Sequence, residues 1–113
     1  MWKGKNPRYG LGYLKCGEKN KTEESYEQYL ELLKRSGSIV WYEFEAIKLR
    51  LAKKTFYTPD FLVMRADGIL ECHEVKGHWE DDARVKVKVA AEKFPFVFRA
   101  VKKIKGGWQE EVF

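Results

Sequence analysis

The stretch TPDFLVMRADGILECHEVKG, residues 58–77, decides how the middle of this chain folds. Its two apolar runs flank an Asp-Gly pair at 67–68, which is typical of hairpin turns, so the stretch predicts two antiparallel strands. Asp60 precedes the first run, and Glu74 and Lys76 lie in the second. Charged side chains in buried strands are costly unless they are paired or bind a metal, so these three residues are candidates for function.

Length and composition predict one folded domain with its own core, since the chain has 113 residues and is 44% apolar. No apolar run approaches the roughly 20 residues that a membrane-spanning helix needs, and the N-terminus lacks the apolar segment of a signal peptide. Cys16 and Cys72 form no recognisable disulfide framework. We therefore expect reduced thiols, a cytoplasmic location and no membrane partner.

The net charge of +5 is unevenly distributed along the chain. Two segments are basic: residues 1–22 carry six Lys or Arg and one acid, and residues 84–105 carry eight Lys or Arg and one acid. Residues 23–83 between them are acidic, with eight Lys or Arg and thirteen acids. Basic segments attract polyanions such as nucleic acids. An acidic centre binds phosphate poorly unless metal ions bridge the two. The alternative is that the basic runs are ordinary solvated surface.

Two helices are predicted, one on each side of the strands. Residues 22–37 carry an apolar stripe at helical spacing, with Thr22 as the N-cap and Gly37 as the stop. In residues 80–95, the alternation at 85–89 resembles a strand. The acidic start, the alanine pair and the following proline favour a helix there.

The remaining apolar runs predict strands. One long strand, or two joined at about Glu45–Ala46, precedes the hairpin, and residues 96–104 form the last strand. Pro59 indicates that the strand containing it lies at an edge or has a distorted start. The order α-β-β-β-β-α-β predicts an α/β domain with a mixed central sheet flanked by helices. The predicted parts are a basic N-terminal arm at 1–21 with one short strand at 9–16, the folded domain at 22–105 and a C-terminal tail at 106–113.

The hairpin also predicts a metal site. Residues two apart on a strand share a face, so Glu74 and Lys76 point the same way, and the turn places Asp60 in the neighbouring row. Converging carboxylates form a hard oxygen site that suits Mg²⁺ or Mn²⁺. Such a metal with a nearby lysine can hydrolyse a phosphodiester. The alternative is a weak surface ion pair between Glu74 and Lys76, with Asp60 as a turn residue.

The pair Pro59-Asp60, followed by Glu74-Val75-Lys76, resembles the PD-(D/E)xK motif of the restriction-endonuclease-like nucleases. Their α-β-β-β-α-β core is close to the order predicted here. More narrowly, residues 20–102 are similar to a family of small phage and prophage proteins of that superfamily. The likeness to endonuclease I-type Holliday junction resolvases, and to the endonuclease subunit of some transposases, is more distant.

The resemblance implies a phage DNA endonuclease that depends on Mg²⁺ or Mn²⁺. It would act in the cytoplasm of the bacterial host on branched or otherwise structured DNA, and it would act as a homodimer. The implied catalytic residues are Glu23, Asp60, Glu74 and Lys76, and the implied metal ligands are Glu23, Asp60, Glu74 and the carbonyl of Val75. Lys76 would assist the attacking water.

The helix acid is assigned from residues 20–25, NKTEES, which resemble the Ser-Lys-x-Glu pattern of the family but carry Asn20 where Ser is usual. This points to Glu23, which also begins the sheet-facing stripe of the helix. Glu24 is the alternative. Either acid would also stabilise a helix start through the helix dipole.

Further residues are predicted to contact nucleic acid: Lys19, Lys21, His78, Arg84, Lys86 and Lys88. Arg84 and Lys88 share a face of the second helix and would grip the DNA backbone, whereas a loop histidine such as His78 is often only solvated. Two other functions stay open at this point. One is a non-catalytic nucleic-acid- or protein-binding module on a nuclease fold, and the other is a single-strand or RNA nuclease.

Overall fold

The structure is a computed structural model that describes residues 18–76 and 81–113. The predicted strand at 9–16, most of the predicted basic arm and the predicted phosphate contact of His78 lie outside the described residues. In the described ranges, no helix is both long enough and apolar enough to cross a membrane.

The first helix, α1, spans Lys21–Ser36 and begins earlier than predicted because Asn20, not Thr22, is its N-cap. The Asn20 side chain accepts a hydrogen bond from the Glu23 amide at 2.8 Å, and the Glu23 carboxylate accepts one from the Asn20 amide at 2.9 Å. This reciprocal pair is a capping box, which fixes Glu23 at the helix start. Gly37 ends the helix in the left-handed conformation, as predicted.

The described residues contain seven strands and a second helix: β1 Ile39–Phe44, β2 Leu49–Ala52, β3 Thr55–Tyr57, β4 Phe61–Arg65, β5 Leu70–Lys76, α2 Asp81–Lys93, β6 Val97–Ile104 and β7 Gly107–Val112. Five strands form one mixed sheet in the order β1-β4-β5-β6-β7, while β2 and β3 form a separate hairpin. The pair β5–β6 is parallel and the other pairs of the sheet are antiparallel. The prediction of an α/β fold with a mixed sheet and flanking helices is confirmed.

Two strand-forming runs are divided in the structure. The run before the hairpin is two strands, β1 and β2, separated by residues 45–48, so the predicted alternative of two strands is confirmed. The run across Pro59 is also two strands, β3 and β4, and β4 lies inside the sheet between β1 and β5. Pro59 therefore marks a distorted start and not an edge strand.

The C-terminal segment needs a correction. The sequence predicts a tail at 106–113, but Gly107–Val112 pairs with β6 as the edge strand β7. Trp108 packs edge-on against Tyr26, with 4.9 Å between the ring centroids. The segment resembles a tail because one face of an edge strand is solvated and carries polar residues such as Gln109.

The sheet is covered on both faces. The face under α1 contains a core of Tyr26, Leu30, Ile39, Phe44, Phe61, Val63, Val75 and Val101. The other face packs against α2 and the β2–β3 hairpin, with a core of Leu49, Leu51, Tyr57, Leu62, Cys72, Val87, Ala90 and Phe98. Because β4 is buried on both sides, its sequence FLVMR is nearly all apolar, whereas β5 buries Glu71, His73 and Glu74 beside its apolar residues.

A buried ionic network lies under α1. Glu71, which is 4% exposed, accepts hydrogen bonds from Arg99 Nε at 3.0 Å and Nη2 at 3.2 Å. Its carboxylate also lies 2.8 Å from His73 Nε2, and His73 Nδ1 lies 2.6 Å from the Tyr26 hydroxyl. Burial alone would raise the pKa of Glu71, but the hydrogen bonds to His73 and Arg99 outweigh burial and lower the pKa to about 2.

We expect Glu71→Gln to lower the free energy of unfolding by about 2 kcal/mol at pH 7, because a neutral amide replaces the buried carboxylate that accepts two hydrogen bonds from Arg99 and leaves that guanidinium with the exposed Glu110 as its acidic partner. The folded-state pKa of Glu71 lies below the ordinary value of 4.5. The stabilisation is therefore complete above pH 4.5 and is lost as the pH falls toward 2. Urea unfolding of both proteins across this range measures the effect, and a difference that stays constant would contradict the prediction.

Candidate functional site

Asp60 joins the ends of three strands. Its carboxylate Oδ2 accepts a hydrogen bond from the Val75 amide of β5 at 2.8 Å. Its backbone carbonyl accepts one from the Glu45 amide, just beyond β1, also at 2.8 Å. Since β4 begins only at Phe61, the Asp60 side chain supplies the acceptor that Val75 needs beyond the end of the backbone ladder.

Four carboxyl groups meet at this point. The side chain of Glu23, in the first turn of α1, lies close enough to that of Asp60 for the two to interact, and the charges of Glu45 and Glu74 both act on Glu23. Glu74 also acts on Asp60. The structure thus brings together all three predicted acids and adds Glu45.

Burial raises the pKa of Asp60 well above its usual range, and the charges of Glu74 and Glu23 raise it further. The Val75 amide and the Lys76 charge oppose this shift without cancelling it. Burial also raises the pKa of Glu23. A protonated Asp60 can then donate a hydrogen bond to the Glu23 carboxylate, which is how two acids share a small site.

Lys76 lies beside Glu74 on the same face of β5, as predicted. Its Nζ is 2.9 Å from Glu74 Oε2, and the Tyr57 hydroxyl donates to Glu74 Oε1 at 2.6 Å. Burial lowers the pKa of Lys76, but the carboxylates of Glu74, Asp60 and Glu23 outweigh burial and raise the pKa overall. Lys76 is therefore a positive charge held inside the acidic cluster.

Sequence reasoning missed Glu45 and Tyr57. Glu45 has a φ of 50°, a left-handed conformation that is uncommon for residues other than glycine and that often occurs at functional sites. The signal in the sequence for Glu45 is the break in side-chain alternation at Glu45–Ala46. The sequence there predicts either one long strand or two joined strands. Tyr57 gave no local signal, because its role depends on the contact of β3 with β5.

The donor chemistry of the cluster fits a hard divalent cation. Four carboxyl groups and the Val75 carbonyl are oxygen ligands, and a cation would relieve the repulsion among the acids. Within residues 18–76 and 81–113, however, no three Asp, Glu, His or Cys side chains are already grouped as metal ligands. Glu23 is engaged by its helix cap, and Glu74 by Tyr57 and Lys76. Metal binding therefore requires these two side chains to rotate.

A cleft of about 280 Å³ opens beside Glu74 between β3 and the start of α2. Its walls include Tyr57, Thr58, Asp82 and Lys86. The predicted phosphate contact Lys86 thus shares a cleft with Glu74. An anionic group in this cleft would lie between Lys86 and the acidic cluster.

The other predicted contacts on α2 lie away from this cleft. Arg84 makes a two-pronged contact with the carboxylate of Glu111 on β7, with Nη1 at 3.0 Å from Oε1 and Nη2 on Oε2. The charge of Lys88 acts on the same carboxylate. The two basic residues share a helix face as predicted, and that face is directed toward the acid of an edge strand.

The basic residues near α1 differ in their surroundings. Lys19 pairs with Glu27 at 3.3 Å and lies 4.9 Å from the centroid of the Phe44 ring. Lys21, in the first turn of α1, is exposed. Glu24, the alternative helix acid, is also exposed, whereas Glu23 reaches Asp60.

Cys72 and His73 lie on opposite faces of β5, since Cys72 packs under α2 and His73 bonds to Tyr26 of α1. Side chains on opposite faces of one strand cannot meet at a single metal ion.

We expect Asp60→Asn to stabilise the folded protein at pH 7. The asparagine side chain keeps an oxygen that accepts from the Val75 backbone amide, and its NH₂ group can donate to the Glu23 carboxylate as the protonated acid can. Unlike aspartate, it carries no charge at any pH. Because the folded-state pKa of Asp60 lies above the ordinary value of 3.8, wild-type stability falls as the pH rises through the folded-state pKa. The gain in the variant should thus grow with pH between 4 and 8. Urea unfolding checks this, and a loss of stability at pH 8 would refute it.

Comparison with known proteins gives a family. Residues 18–109 match the family described as "Protein of unknown function (DUF1064)". No curated protein and no solved structure matches the chain. The matched range runs from just before the α1 cap into β7, so it contains the whole acidic cluster. Because the match covers most of the chain, this protein belongs to the DUF1064 family.

Proposed function

We propose that this protein is a metal-dependent endodeoxyribonuclease that hydrolyses phosphodiester bonds in branched or otherwise structured DNA. The observation that carries the proposal is the convergence of Glu23, Asp60, Glu74 and Lys76. They come from three separate elements, and the PD-(D/E)xK resemblance assigns the same four residues. A buried acid with a raised pKa in such a cluster is a frequent mark of a functional site.

The proposed metal ligands are Glu23, Asp60, Glu74 and the Val75 carbonyl. Mg²⁺ or Mn²⁺ bound there would supply Lewis-acid chemistry toward the phosphate and would activate water. The hydrogen bond from the Val75 amide orients the Asp60 carboxylate. Tyr57 orients Glu74 through its hydroxyl.

Lys76 has the second role. Its ammonium lies 2.9 Å from Glu74 and stays protonated among the acids. There it can donate hydrogen bonds to a water or to a phosphate oxygen, which orients the nucleophile and stabilises developing charge. Lys86, on the wall of the cleft beside Glu74, is placed to bind a neighbouring phosphate.

The choice of DNA, its branched form, the homodimer, the phage origin and the cytoplasm of the bacterial host rest on the resemblance to junction resolvases. A second candidate function is a non-catalytic nucleic-acid-binding module on the same fold. The specific observation in its favour is that Tyr57 and Lys76 occupy both oxygens of Glu74.

The test is cleavage of labelled four-way, flapped, linear and single-stranded DNA, and of RNA, with Mg²⁺ or with EDTA. We expect Mg²⁺-dependent cutting that prefers the branched forms. Glu23→Gln, Asp60→Asn and Lys76→Gln should each slow cutting by about a hundredfold or more, because each removes a ligand or a charge that acts on the reacting phosphate. Glu24→Gln is the matched control for Glu23→Gln, since it removes an exposed acid one residue away, and it should cut like wild type.

Two results would end the nuclease proposal: no Mg²⁺-dependent cutting of any substrate, or cutting that Asp60→Asn leaves unchanged. DNA binding without cutting would support the non-catalytic module. Titration calorimetry with Mn²⁺ gives a reading that does not depend on activity, because Asp60→Asn and Glu74→Gln should weaken metal binding and Glu24→Gln should not.

A further inference from the structure

The β2–β3 hairpin carries a cluster of positive charges outside the acidic site. Residues 46–58 contain four Lys or Arg and no acid. Three of these cations, with one from the end of α2, line a groove of about 550 Å³. We call it the basic groove, and the residues that define it are Lys48, Arg50, Lys53, Lys93 and Phe94.

Among the described residues, no acid pairs with the charges of the basic groove. In the two described ranges, none of its four cations makes a hydrogen bond or an ion pair with a carboxylate. Elsewhere in the same ranges, arginines such as Arg84 and Arg99 are held by glutamates. The groove therefore presents a local positive potential that acids in the described ranges leave uncompensated. Such a surface attracts a polyanion.

The tip of the hairpin adds a fifth cation, which has an unfavourable backbone conformation. Lys54 has a φ of 59°, in the left-handed region where glycine or asparagine is favoured. The tight turn between β2 and β3 would be relaxed by glycine at this position. A lysine at this position keeps a positive charge at the tip but makes the folded state less stable. Residues with strained backbone conformations of this kind cluster at functional sites.

One aromatic ring joins the basic groove to the acidic site. Phe56, which is 40% exposed, lies opposite Arg50 in the hairpin. The Nζ of Lys48 lies 4.6 Å from the centroid of its ring. Phe56 also lines the cleft beside Glu74 and Lys86. A chain of phosphates that follows the groove would therefore pass over Phe56 into the cleft.

We propose that the basic groove is the docking surface for the sugar–phosphate backbone of DNA and that it guides one strand to the cleft at Glu74. The choice of DNA as occupant rests on the proposed function. DNA offers a regular row of charges, one for about every 1.7 Å of duplex axis, which suits cations spaced along two elements. An anionic membrane offers the same kind of charge, and the vesicle arm of the experiment distinguishes it from DNA.

The experiment measures binding without cutting. Fluorescence anisotropy of labelled duplex and four-way DNA, in EDTA, compares the full chain with Lys48→Gln/Arg50→Gln/Lys53→Gln. The control is Lys34→Gln/Arg35→Gln/Lys105→Gln, which removes the same charge from exposed positions at the end of α1 and in the β6–β7 turn. The groove variant should bind about tenfold more weakly, and its salt slope should fall by about one for each lost phosphate contact. The control should bind within about twofold of wild type.

A single substitution separates charge from folding. Lys54→Gly should raise the midpoint of thermal unfolding, since it relaxes the turn, and should weaken DNA binding by about twofold to threefold. A variant that gains stability while it loses affinity cannot be explained by damage to the fold. Unchanged or stronger binding by Lys54→Gly would remove the tip from the docking surface.

The outcomes distinguish this inference from the nuclease proposal. Groove and control variants that bind DNA equally well overturn the docking surface, even if wild type cuts DNA. Groove-dependent binding by a protein that never cuts supports the surface and overturns the nuclease. Absence of DNA binding by wild type overturns both. Groove-dependent binding to phosphatidylglycerol vesicles without DNA binding would replace DNA by a membrane and overturn the proposal.

Discussion

The hydrogen bond from the Val75 amide to the Asp60 carboxylate is the constraint on which the site depends. It lets a side chain continue the pairing of β4 with β5 where the backbone has turned away. The Asp60 carbonyl meanwhile holds the residue after β1. With these two bonds, the ends of three strands and the start of α1 stay together, so that their acids face one another. The repulsion that follows is relieved within the protein by proton sharing and by the charge of Lys76.

The strand β5 separates two kinds of buried acid. On the face under α1, Glu71 is surrounded by Arg99 and His73, and its pKa is lowered to about 2. At the end of the strand, Asp60 is surrounded by other acids, and its pKa is raised. A carboxylate with matched partners stabilises the fold, whereas a carboxyl crowded by like charges is stable only as an acid or beside a cation. The opposite shifts therefore support a structural role for Glu71 and are consistent with the functional role proposed for Asp60.

Local patterns were sufficient to predict much of this structure. The turn at 67–68 and the two apolar runs specify the hairpin, and the alternation of side chains along one strand places Glu74 and Lys76 on the same face. The N-cap was also readable: Asn20 has Glu23 three residues later, which completes a capping box, whereas Thr22 has Ser25. Other features depend on distant parts of the chain. Glu45 and Tyr57 join the site only when β1 and β3 pack against the ends of β4 and β5, and β7 is half solvated, so its strand pattern is weak.

In the described residues, the backbone of the β2–β3 hairpin pairs with itself and not with the strands of the five-stranded sheet. Its length and its exposed residues can therefore change without shifting the register that holds Asp60 against Val75. Segments of this kind tolerate insertion and substitution, while strands inside a sheet do not. Relatives of this protein can diversify the hairpin and still keep the same acidic cluster. If the hairpin docks DNA as proposed, natural selection could change the docking surface without changing the acidic cluster.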